Sequence, residues 1–69
     1  MQLTARNILK GTVKHIHLGN VNAEVTLEIN PGVEITAMVT KTSAEKLELT
    51  QGKEAYAVIK AGHVMIGVD

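Results

Sequence analysis

Cysteine, tryptophan and phenylalanine are absent from this 69-residue chain, and it has one tyrosine, Tyr56, and one proline, Pro31. Without cysteine there is no disulfide framework and no Cys/His spacing of the zinc-finger kind. Net charge is also missing: seven basic and seven acidic side chains cancel. No long-range field therefore draws the chain to nucleic acid or to a membrane surface, and any anion site must be local. There is no charged-then-apolar leader and no apolar run approaching transmembrane length, so the expected location is cytoplasmic.

Aliphatic residues dominate what remains. Apolar residues make up 45% of the chain, most of them Val, Ile, Leu and Ala, in a length that supports one domain, residues 1–69. So small a chain, with no covalent or metal staple, is expected to bury part of that surface against copies of itself. An obligate homo-oligomer is the expectation, and a marginal monomer the alternative.

Period-two alternation sets the local structure. Val21, Ala23, Val25, Leu27 and Ile29 point one way, with Asn22, Glu24, Thr26 and Glu28 opposite, the pattern of a half-buried antiparallel strand. Asn30-Pro31-Gly32 makes a turn, and Val33, Ile35, Ala37 and Val39 share one face of a third strand. The first strand, from about Ile8 to Leu18, alternates through Leu9, Gly11 and Val13. It then needs a β-bulge near Lys14-His15 to bring Ile16 and Leu18 inward. Thr42 precedes Glu45 by three residues, the spacing of a capping box, with Ala44 and Leu47 on one helical face and Gly52 closing the region. Two more strands are expected, Glu54 to Lys60 and His63 to Val68. Three strands, a short helix and two strands is the order of an all-β, five-stranded OB-type barrel; a plain meander with a helical insert is the alternative.

Three segments carry a more specific likeness. Thr4-Ala5-Arg6-Asn7 opens the chain, Val21-Asn22-Ala23-Glu24-Val25 follows, and Ala57-Val58-Ile59-Lys60-Ala61 comes near the end. This ordered set, spread over essentially the whole chain, resembles the molbindin family of small molybdate-binding proteins. The resemblance implies the same barrel, a cytoplasmic homo-oligomer, with a hexamer as its size, and molybdate or tungstate as bound ligand.

These ligands are tetrahedral dianions with no proton to donate near neutral pH, so a site needs N–H and O–H donors and about two positive charges. Arg6 offers a rigid two-pronged fork and Lys60 a point charge. The first and fourth strands of an OB barrel are neighbours, which lets the two converge. Thr4 can donate its hydroxyl and the amides around Ala5 are uncrowded. Read from residue types alone, Arg6 and Lys60 are equally ordinary edge-strand charges; the resemblance, whose family begins Ser-Ala-Arg-Asn, is what favours the site.

The family's Thr-x-x-Ser pattern falls on Thr40-Lys41-Thr42-Ser43, so Thr40 and Ser43 join the expected site, with capping as the plainer role for Thr42 or Ser43. A second anion site is implied where subunits meet around Gly19-Asn20-Val21-Asn22. Glycine and asparagine there tolerate positive φ angles that gather amides into a nest, although a hairpin turn accounts for the same residues. His15, His17 and His63 read as solvent-facing, and no directly ligated metal cation is expected.

A non-catalytic molybdate and tungstate binding and storage protein is the reading these residues support, since no nucleophile–base pair or carboxylate pair in a cleft is evident. The competing readings are a single-stranded nucleic-acid-binding OB module, which wants aromatic platforms and a basic groove, and a free-standing oxyanion-sensing domain.

Overall fold

A computed structural model describes Met1 and residues 4–69. Four strands, β1 (Asn7–Leu18), β2 (Asn22–Asn30), β3 (Val33–Thr40) and β4 (Glu54–Ile59), form one antiparallel sheet in the order β3-β2-β1-β4, with a helix, α1 (Lys41–Lys46), between β3 and β4. β1 serves two partners in turn. Residues 7–12 pair with β4 and residues 12–18 pair with β2, with Thr12 facing both Glu54 and Glu28. Such a division requires a strongly coiled strand, and two devices supply it. The register slips between Val13 and His15, the bulge expected at Lys14. At Gly11, a Cβ would stand 2.8 Å from both the Glu28 carbonyl oxygen and Ile29 Cδ1, so only glycine lets β2 approach this closely.

The alternation of β2 is realised as read: Ala23, Val25 and Leu27 are buried, and with Val13 and Ala44 they make the core. Ile16, Ile29, Val39, Leu49, Ala55 and Ala57 pack around it. Val21, assigned inward by the same alternation, instead lies before the strand begins and is exposed, as is Leu18 at the end of β1. The β2–β3 turn has Gly32 at φ +80°, as a proline–glycine turn requires.

The helix begins earlier than its sequence signal suggests. Thr40, the last ladder residue of β3, is also the N-cap, and its hydroxyl accepts from the Ser43 amide. Thr42 is therefore inside the helix rather than its cap, and Glu45 stands too late to close a capping box. Six residues do not hold a helix in water, so the ends are fastened. Glu48 takes φ +53°, while the Leu49 amide donates to Ala44 and the Glu48 amide to Glu45, a Schellman closure. The Lys53 ammonium donates to the carbonyls of Leu47 (2.6 Å) and Glu48 (3.3 Å). Leu47, expected on the apolar face with Ala44, is exposed; Leu49 takes that place.

The fifth strand expected over His63–Val68 pairs with none of the described residues. Ala61–His63 forms a single 3-10 turn and residues 64–69 run on without a ladder. The sheet is thus a curled half-barrel. Its concave side opens as an apolar trough of about 790 Å³ between the β3 and β4 edges, lined by Val25, Leu27, Ile35, Val39, Ala57 and Ile59 among others. No helix among the described residues is long and apolar enough to cross a membrane.

Candidate functional site

The β1–β4 ladder ends at the rung Asn7↔Ile59. Arg6 and Lys60, the two cations predicted to converge, directly flank that rung, one on each strand. Beyond it the strands separate. Lys60 keeps an extended backbone, φ −63° and ψ 132°, but its carbonyl accepts from the His63 amide at 2.9 Å and the chain turns away. The diverging ends enclose a hollow of about 550 Å³ lined by Thr4, Ala5, Arg6, Val58, Lys60, Ala61 and Gly62.

Both cations are exposed. Among the described residues the ion pairs are Lys10–Glu54, Lys14–Glu28 and Lys14–Glu34, so no carboxylate neutralises Arg6 or Lys60. Two positive charges, a hydroxyl and an uncrowded backbone are therefore offered to one small space, a donor set suited to a compact dianion. The hydrogen bond and charge of Glu34 raise the Lys14 pKa above its ordinary value, and Lys14 in turn holds Glu34 below the usual carboxylate range. Lys14 lies on β1 and Glu34 on β3, both exposed, and neither lines the hollow.

Thr40 and Ser43 are not in that hollow. Asn22 pairs with Thr40, and the Lys41 amide donates to the Val21 carbonyl at 2.7 Å. The turn proposed as a second site and the Thr40–Ser43 pair are thus one corner, built where β1 ends, β2 begins and β3 runs into α1. Arg6 and Lys60 belong to the other end of β1, twelve residues long. Within the corner the Thr40 hydroxyl donates to Ser43 Oγ at 2.8 Å and accepts from the Ser43 amide at 3.0 Å. Its proton is committed, and the hydroxyl free to donate outward is that of Ser43.

The nest of positive-φ amides expected over Gly19–Asn22 does not form: among the described residues only Gly32, Glu48 and Gly52 have positive φ. Gly19 donates its amide to the Asn22 carbonyl at 2.8 Å, closing a hairpin, and a Cβ on Gly19 would approach that same oxygen to 3.0 Å. Close approach, not handedness, is what glycine supplies here. The exposed tip residues Asn20 and Val21 remain. His15, His17 and His63 are exposed, and no grouping of metal-ligating side chains occurs among the described residues.

Sequence reading missed three contributors. Ala61 and Gly62 line the hollow, signalled only by their place directly after Lys60. Asn7 ties the strand ends through Nδ2, which donates to the Ile59 carbonyl at 3.3 Å. It stood inside the opening four-residue segment, but nothing local assigned it work.

A curled four-stranded half-barrel, with two cations at one sheet end that meet no carboxylate among the described residues, has the form of a small ligand-binding module. Residues 3–66 match the TOBE domain. The chain is 46% identical to a probable molybdenum-pterin-binding protein of Haemophilus influenzae over the full length of both. Among solved structures it superposes on MopII from Clostridium pasteurianum with a TM-score of 0.91 at 43% identity, covering 97% of this chain and all of that one. It also superposes on the cytoplasmic molybdate-binding protein ModG, solved with molybdate bound, with a TM-score of 0.94 at 56% identity, over all of this chain and 49% of that one. The chain belongs to the TOBE-domain family, and within it to the molbindins.

Proposed function

We propose that this protein is a cytoplasmic, non-catalytic binding protein that stores molybdate and tungstate at contacts between its own copies, with residues 1–69 acting as one domain. The observation that carries the reading is the hollow beyond the last β1–β4 rung, which Arg6 and Lys60 both line, with no carboxylate paired to either among the described residues. Two cations match a charge of minus two, so the filled site is near neutral and costs little to cover. Arg6 bonds two oxygens at once, Lys60 a third, and Thr4 with the Ala5 amide complete one side. The names of the relatives, a probable molybdenum-pterin-binding protein and a molybdate-binding protein, support a molybdenum oxyanion as the ligand.

One side is all that a single chain offers here. The Ser43 hydroxyl, positioned by Thr40, lies at the opposite end of β1, and the Thr40–Ser43 pair comes from a neighbouring copy. A head-to-tail contact of this kind, between two different surfaces, closes into a ring when the rotation permits, in keeping with the hexamer that the resemblance implies. The second, weaker site forms where Gly19, Asn20, Val21 and Asn22 of several copies meet.

Surface area supports assembly independently. The chain exposes 5627 Å², whereas a compact monomer of 7.4 kDa exposes about 4,200 Å². The excess is comparable to or larger than the share, about 800 Å², that one partner buries in a standard interface. Much of it is apolar: Met65, Ile66 and Val68 are 91%, 87% and 92% exposed. This tail has no strand partner among the described residues, and the trough between the β3 and β4 edges is open and apolar. The tail of one copy laid in the trough of another supplies the missing fifth strand and buries both. Calorimetric titration with molybdate, tungstate and sulfate tests the function. Tight binding of the first two with weak sulfate binding is expected; failure of both metal oxyanions to bind refutes it.

A further inference from the structure

We infer that Asn7 is a positioning residue of the oxyanion site, a side-chain clamp that holds the Arg6–Lys60 pair closed while no anion is bound. The inference rests on the assignment of that pair as the site.

Like charges placed directly opposite on neighbouring strands repel and destabilise the pairing. Arg6 and Lys60 approach that relation: they flank the Asn7↔Ile59 rung on its two strands and line the same hollow, both exposed and, among the described residues, without a carboxylate partner. The backbone does little to hold them, because the Lys60 carbonyl accepts from His63 and the strand leaves the sheet there. An empty site would therefore tend to fray from this end. Asn7 counters that tendency with its side chain. Its Nδ2 donates to the Ile59 carbonyl at 3.3 Å, half-buried, across a sequence separation of 52 residues. The bond joins the residue just after Arg6 to the residue just before Lys60. Aspartate in the same shape would have no donor for the carbonyl and would place a negative charge where the ligand binds. The side-chain amide does the work while remaining neutral, so it neither competes with the anion nor adds to the repulsion.

The consequence is preorganisation: the parent protein presents both cations in register before the anion arrives, and less ordering remains to oppose binding. Three variants, Asn7→Ala, Asn7→Gln and Lys60→Gln, with the double variant Asn7→Ala/Lys60→Gln, test it in two ways. In the anion-free assembled protein, Asn7→Ala should speed amide exchange at residues 58–60 about tenfold and leave the Gly19–Asn22 hairpin unchanged. Equal protection at 58–60 in parent and variant overturns the clamp, whether or not the protein binds tungstate. In titrations with tungstate, Asn7→Ala should weaken binding about tenfold in the parent, on the scale of one lost hydrogen bond. With Lys60→Gln already present the further loss should fall below twofold, since no repelling pair is left to hold, and Asn7→Gln should recover part of the parental affinity. An equal loss in both backgrounds overturns the positioning role. A parent that binds no tungstate refutes the site assignment instead, and the exchange result alone then judges the clamp.

Discussion

Ile66 separates a monomer from an assembly by a single substitution. It is 87% exposed in the isolated chain, so in a monomer Ile66→Asp touches nothing and changes stability by no more than about 0.5 kcal/mol. In the proposed assembly the same side chain lies in the apolar trough of a second copy. An isoleucine side chain presents on the order of 140 Å² of apolar surface; covering most of it is worth about 3 kcal/mol at about 25 cal/mol per Å². Aspartate forfeits that and adds an unpaired charge to an apolar lining. The cost recurs in every copy, so the assembled state is weakened several times over. Sedimentation velocity and thermal unfolding across a hundredfold range of protein concentration read the result. The parent should sediment as an oligomer with a concentration-dependent Tm; Ile66→Asp should sediment as smaller species, with its Tm lowered by more than 10 °C at about 4–8 °C per kcal/mol. If the variant sediments and melts like the parent, the tail is not buried by a partner and the reasoning fails.

Arg6→Ala should cost roughly 2–4 kcal/mol of tungstate binding, as when a buried charge loses its charged partner, and calorimetry showing parental affinity would remove Arg6 from the site. A site shared between copies makes mixed assembly informative: Arg6→Ala chains refolded with Thr40→Val/Ser43→Ala chains should regain some tungstate sites, while Arg6→Ala mixed with Lys60→Ala should regain none. Recovery in the second mixture, or its absence in the first, contradicts the division drawn here. Gly11→Ala places a Cβ 2.8 Å from the backbone oxygen of Glu28, and should lower stability by about 1–3 kcal/mol in chemical denaturation; an unchanged midpoint would mean that β2 yields freely.

Alternation by itself determined much of this protein. Ala23, Val25 and Leu27 are buried because successive residues of a strand face opposite ways, a rule that acts within a few residues. The Pro31-Gly32 turn and the Lys14 bulge were legible for the same reason, since local sterics and a slipped period leave their mark in the chain itself. Residue chemistry also marked Arg6 and Lys60, with the family resemblance tipping them from ordinary edge charges to a candidate site. Tertiary structure decided the rest. Capping fell to Thr40 rather than Thr42 because β3 runs into the helix with no linker, and only strand pairing reveals where β3 stops. His63 to Val68 read as a strand, but a strand needs an edge to bond to, and none is taken among the described residues of its own chain. That Arg6 and Lys60 line one hollow while Thr40 and Ser43 stand at the far end of β1 follows from register between strands some fifty residues apart. Such pairing is set by the closure of the whole sheet, which no local pattern records.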